Sequence, residues 1–130
     1  VQGIDVPALK SCMTYAAGYH PSQPVMDWFW DILEHDLTPQ QQCQFLKFMT
    51  SCSRQPLLGF GSLDPRPCIQ QVRLSDALFV QSAEKIAKQL PLPTSATCMN
   101  LLKLPNYRNK DLMRQKLLAA IESGSGFELS

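Results

Sequence analysis

The chain has no Cys-x-x-Cys pair, no block of like charges, no long apolar run and only two histidines, His20 and His35. Each absence removes a class of function. Five cysteines, Cys12, Cys43, Cys52, Cys68 and Cys98, form an odd set. A secreted disulfide framework favours an even count, and a structural zinc site favours clustered ligands. Reduced thiols in an intracellular compartment, cytoplasmic or nuclear, are therefore expected. Twelve Lys and Arg against eleven Asp and Glu leave a net charge of +1, which does not supply the basic face that nucleic acid requires. The main apolar cluster, "VMDWFWDIL", is broken by aspartates and is far too short to span a bilayer. No signal-peptide pattern opens the chain, and a start at Val1 rather than Met is expected of a piece excised from a longer protein.

What is present suits one domain. At 130 residues and 45% apolar content, such a chain buries roughly two-thirds of its unfolded surface. "GIDVPAL" reads as a brief strand or a helical turn, and "AAGYHPSQP" as a loop punctuated by Gly18, Pro21 and Pro24. Ser22 is a suitable cap for a helix running to about Glu34, with Val25, Trp28, Phe29, Ile32 and Leu33 on one face. Thr38, Pro39 and Gln41 open the next helix as cap, first residue and capping-box partner. Phe45, Phe48, Met49 and Cys52 form its stripe. "SRQPLLGFGSLDPRP" holds too much proline and glycine for regular structure. "CIQQVRL" reads as a strand, "FVQSAEKIAKQL" as a helix, and "TCMNLLKL" as an apolar strand. Asn109 caps a last helix carrying Met113, Leu117, Ala120 and Ile121, which Gly124 and Gly126 terminate. Helices outnumber strands without regular alternation, so the predicted class is α+β, a small mixed sheet packed with several helices in a single domain.

Cys98 poses the functional question. A cysteine at the edge of an apolar strand is usually packing, and the other four cysteines share that reading. A cysteine-protease arrangement needs a histidine base, yet His20 lies in a Pro-rich loop and His35 at a helix end. An alternative class is a non-catalytic interaction module using the Trp28-Phe29-Trp30 helix as an anchor, although a core helix accounts for the same stripe.

The motifs point elsewhere. "LPTSATCMNLLKLPNY" resembles the catalytic cysteine segment of HECT-type ubiquitin ligases. "YAAGYHPSQPVMDWFWDIL" is similar to the Tyr-x-Gly-Gly-Tyr segment and Trp-Phe-Trp helix of that family. "FLKFMTSCSRQPLLGF" resembles its Phe-x-Thr-Gly-Thr-x-Arg-x-Pro block, and "GFELS" resembles its terminus, with Phe127 fourth from the end. "TSCSR", "LLKLP" and "GFELS" together look most like the branch whose members carry an N-terminal IQ motif. Three positions depart from the pattern. Ala96 replaces a histidine two residues before the cysteine, Ser51 replaces the Gly of Thr-Gly-Thr, and Ala17 replaces the first Gly of Gly-Gly-Tyr. Residues 74–91 have no alignable counterpart and read as an insertion.

The resemblance implies that residues 1–130 are the C-terminal lobe of a HECT domain, with residues 1–4 near the inter-lobe hinge. It implies that Cys98 accepts ubiquitin from a conjugating enzyme as a thioester and passes it to a substrate lysine. The conjugating enzyme would dock on the other lobe, no metal or cofactor would take part, and the fragment alone would be monomeric. Exchange of one thioester for another needs no adjacent base. A thiol of ordinary pKa, about 8.5, is a few per cent ionised at pH 7, a handicap of about 2 kcal/mol that positioning can exceed. Thr97 is either an oxyanion donor or merely a strand former. Asn100, two residues beyond Cys98, would share its strand face and bind the loop or the acyl carbonyl. By resemblance Leu92 docks ubiquitin, Arg54 supports the catalytic loop and Phe127 serves the lysine-transfer step.

Overall fold

A computed structural model describes residues 2–123. Five helices and four strands follow in the order α1 (Val6–Cys12), β1 (Thr14–Ala16), α2 (Pro24–Asp31), α3 (Pro39–Thr50), β2 (Cys68–Val72), α4 (Ala83–Gln89), β3 (Thr94–Ala96), β4 (Leu101–Pro105) and α5 (Lys110–Ser123). The fold is α+β, as the element pattern predicts. The strands form one mixed sheet in the order β1-β2-β4-β3. β1, β2 and β4 run parallel, while β3 runs antiparallel to β4, with Thr94 opposite Lys103 and Ala96 opposite Leu101.

Local chemistry sets the helix starts. Thr38 accepts from the Gln41 amide at 3.1 Å, and Gln41 Oε1 accepts from the Thr38 amide at 2.9 Å, completing the capping box. Asn109 Oδ1 accepts from the Leu112 amide at 3.0 Å and opens α5. The second helix differs from expectation. Its cap is Gln23 rather than Ser22, because Pro24 takes the first helical position. Its α geometry ends at Asp31, and Ile32–Asp36 form a π turn that swings the chain towards Thr38.

The core lies where α2, α3 and α5 meet the sheet. Phe29, Phe45, Leu46, Met49, Ile69, Leu102, Met113 and Leu117 are all fully buried. Each large apolar side chain contributes about 1.5–3 kcal/mol by leaving water. The aromatic helix is part of this core: Phe29 stacks edge-on with Trp30 at 5.0 Å and Phe45 at 5.8 Å. Trp30 Nε1–H donates to the Tyr15 hydroxyl at 3.1 Å. With Phe29 and Trp30 inside, the interaction-module reading loses its anchors.

Two departures from the family pattern fall on unusual backbone. Ala17 has φ +59° and Ser51 φ +69°, both in the left-handed region where glycine is unstrained. Gly18, with φ +98°, completes the first of these turns. The turn carries Tyr19, whose buried hydroxyl donates to the Leu104 carbonyl at 2.9 Å.

Candidate active site

The segment carrying Cys98 is not a continuous strand. β3 ends at Ala96, Thr97–Met99 form one 3-10 turn, and β4 begins at Leu101. The reason lies in Asn100, which adopts φ +50° and so reverses the chain direction; asparagine tolerates this region better than most residues. Its amide donates to the Thr97 carbonyl at 3.2 Å, closing the turn. Its carbonyl accepts from the Cys68 amide at 3.1 Å, and its side-chain Nδ2 donates to the Pro65 carbonyl at 2.7 Å. Asn100 is 7% exposed. The expectation that Asn100 and Cys98 share a strand face is therefore corrected: the turn separates them, and the Asn100 amide is committed to Pro65.

Cys98 is exposed at the tip of this turn, and its neighbour Met99 is 51% exposed. Thr97 is half-buried at the start of the turn, so it does not extend a strand there. α3 packs against the turn from behind. The end of α3 is fixed by Thr50, whose hydroxyl donates to the Leu46 carbonyl at 2.8 Å and accepts from the Cys52 amide at 3.1 Å. The Asn100 bonds close the turn that carries the thiol, and α3 packs against it.

On the approach, Leu92 is half-buried against the core. The buried Tyr107 hydroxyl donates to the Pro91 carbonyl at 2.6 Å, tying the segment before β3 to the end of β4. This tyrosine ends the "LPNY" motif, and its contact with Pro91 lies 16 residues back along the chain. Burial pushes the phenols of Tyr107 and Tyr19 well above their ordinary range.

Arg54 lies elsewhere. It lines a cavity of about 540 Å³ with Gln2, Gly3, Ile4, Cys43, Ser53 and Gln55. The first described residues are held there too. The Ile4 amide donates to Gln42 Oε1 at 3.2 Å, the Asp5 amide to Gln55 Oε1 at 2.7 Å, and the Cys43 thiol to the Gln2 carbonyl at 3.4 Å. Each histidine has its own local partner: His20 Nδ1 hydrogen-bonds the Ser22 hydroxyl at 2.8 Å, and His35 Nε2 lies 3.3 Å from Glu34. No group of three or more potential metal-ligating side chains occurs among the described residues. Phe127 lies outside the described residues.

The geometry thus leaves an exposed thiol on a turn at the end of an edge strand. Comparison with known proteins gives the family. Residues 1–130 match the family described as HECT-domain (ubiquitin-transferase), and the chain belongs to that family. It is 47% identical to mouse ubiquitin-protein ligase E3B over 98% of this chain, which is 13% of that protein. It is 46% identical to Arabidopsis thaliana E3 ubiquitin-protein ligase UPL6 over 100% of this chain and 12% of that protein. With Saccharomyces cerevisiae E3 ubiquitin-protein ligase HUL5 it shares 42% identity, over 98% of this chain and 12% of the relative. The chain thus spans about an eighth of the length of these relatives.

Proposed function

We propose that this chain is the C-terminal catalytic lobe of an intracellular HECT ubiquitin ligase and that Cys98 carries ubiquitin as a thioester. The observation that carries the reading is the exposed Cys98 thiol on the turn braced by Asn100. In the first step the Cys98 sulfur attacks the carbonyl of the conjugating enzyme's ubiquitin thioester. The tetrahedral intermediate collapses with loss of the conjugating enzyme's thiolate. In the second step a substrate lysine amine attacks the Cys98 thioester, releases the Cys98 thiolate and loses a proton to form the isopeptide. The Thr97 hydroxyl, one residue from the sulfur, donates to the oxyanion in both steps. Asn100 is a positioning residue that acts through the turn.

The ubiquitin tail lies along the outer edge of β3, with no strand paired there among the described residues, and Leu92 anchors it. The conjugating enzyme docks on the other lobe, and residues 1–4 lie near the inter-lobe hinge. Arg54, in the loop between α3 and β2, helps hold the catalytic loop; the Pro65 carbonyl of the same loop accepts from Asn100. Phe127 serves lysine transfer. The motifs "TSCSR", "LLKLP" and "GFELS" favour the branch with an N-terminal IQ motif. No helix among the described residues is long and apolar enough to cross a membrane.

The test is one gel. The intact ligase with activating enzyme, conjugating enzyme and ubiquitin should form a reductant-sensitive adduct that Cys98→Ala removes. An undiminished adduct in Cys98→Ala rejects the assignment.

A further inference from the structure

β2 and β4 run parallel, and their carboxyl ends, Val72 and Pro105, stand at the end of the sheet away from Cys98. Just beyond them opens a cavity of about 400 Å³, whose charged lining residues are Arg73, Asp76 and Arg108. Two guanidiniums against one carboxylate leave it a net charge of +1. Arg73 is exposed and has no ion-pair partner among the described residues. Arg108 presents the face of its guanidinium to the Phe79 ring, 4.1 Å from the centroid, and its Nη2 to Asp76. Its Nε and Nη1 remain as donors in the plane of the fork. Ser75 lines the same cavity, is exposed, and accepts from the Ala77 amide at 3.3 Å. It stands at the near end of segment 74–90, which the family motifs leave unassigned. The far end of that segment is secure, with Leu90 3% exposed and Pro91 held by Tyr107. The near end depends on Arg108, and the Asp76 side chain is 92% exposed, where an ion pair holds little.

We propose that Ser75 is a phosphorylation site, and that its phosphate enters this cavity, pairs with Arg73 and Arg108 and fastens the near end of segment 74–90. The partner is an arginine-directed protein kinase, because "VRLSD" puts Arg73 two residues before the exposed hydroxyl. In the transfer, Ser75 Oγ attacks the γ-phosphorus of ATP. The new O–P bond forms as the bond to ADP breaks, and the hydroxyl proton passes to the catalytic carboxylate of the kinase. At pH 7 the phosphate carries a charge of about −1.5 to −2 and three acceptor oxygens. Guanidinium and phosphate pair through charge-assisted, bidentate bonds. Asp76 opposes the new charge, and Arg108, with its several donors, serves both groups.

The experiment uses the intact ligase in two arms, neither of which depends on Cys98. With ATP and an arginine-directed protein kinase, mass spectrometry should place phosphate on Ser75, and Arg73→Gln should slow that transfer about tenfold. In the second arm Ser75 is replaced by phosphoserine through genetic encoding, and the ligase is cut with a protease specific for lysine, so that arginine substitutions remove no cleavage site. Cleavage after Lys85 and Lys88, both exposed in α4, should slow about fivefold relative to the unmodified ligase. The same comparison in the double variant Arg73→Gln, Arg108→Gln should show no protection. Kinase treatment that leaves Ser75 unmodified overturns the proposal. Phosphoserine that leaves cleavage unchanged, or hastens it through repulsion from Asp76, overturns it too. Protection that persists in the double arginine variant rejects the cavity as the place where the phosphate is held.

Discussion

Ser51 and Ala17 occupy left-handed backbone with φ +69° and +59°, and replacing both by glycine should stabilise the lobe. A side chain in this region costs about 1–2 kcal/mol through the contact of Cβ with the following carbonyl. Glycine removes that strain but raises the entropy of the unfolded chain, which costs about 0.5–1 kcal/mol. The net gain is about 0.5–1 kcal/mol per site. Both side chains are exposed, so neither substitution removes packing, and the sites lie in separate turns, so the gains should add to about 1–2 kcal/mol. For 130 residues, an unfolding entropy of about 2.1 cal/mol/K per residue totals about 0.27 kcal/mol/K. The double variant should therefore melt about 4–7 °C higher. Urea denaturation should show a higher midpoint with an unchanged slope. A midpoint equal to or below that of the parent would refute the strain assigned to these turns.

Asn100→Ala should destabilise by about 1–3 kcal/mol, because it removes the bond to the Pro65 carbonyl and puts alanine at φ +50°. In the intact ligase it should slow loading more than it changes affinity for the conjugating enzyme, which rate-versus-concentration curves would separate. Tyr107→Phe leaves the Pro91 carbonyl without its donor and should cost about 1 kcal/mol in denaturant. The raised phenols of Tyr19 and Tyr107 stabilise the fold fully below the unfolded tyrosine pKa of about 10, and that contribution declines as pH rises further. The parent should therefore lose stability above about pH 10, and Tyr107→Phe should flatten that loss; equal slopes would contradict it. Phe127→Ala in the intact ligase should leave the thioester intact and impair isopeptide formation, and equal loss of both steps would reject its assignment.

The third and fifth helices are legible because their signals are local. Thr38, Pro39 and Gln41 fit a capping box within four residues, and Met113 through Ile121 repeat at helical spacing. β1 escaped notice because three residues, Thr14–Ala16, are too few to show alternation. The turn carrying Cys98 is hidden for a different reason. "TCMNLLKL" has the composition of a strand, and what breaks it is Asn100 bonded to Pro65, 35 residues away. The family motif groups Thr97, Cys98 and Asn100, while the separation of Asn100 from Cys98 depends on a distant carbonyl. The resemblance singles out Cys98, and the fold adds the turn closed by Asn100.

The most direct measurement is the chemistry of the adduct formed by the intact ligase carrying Cys98→Ser. A hydroxyl at that position should accept ubiquitin slowly as an oxygen ester, giving a band that survives reductant and disappears in mild alkali. A band that stays fully reductant-sensitive would mean that another sulfur carries the acyl group.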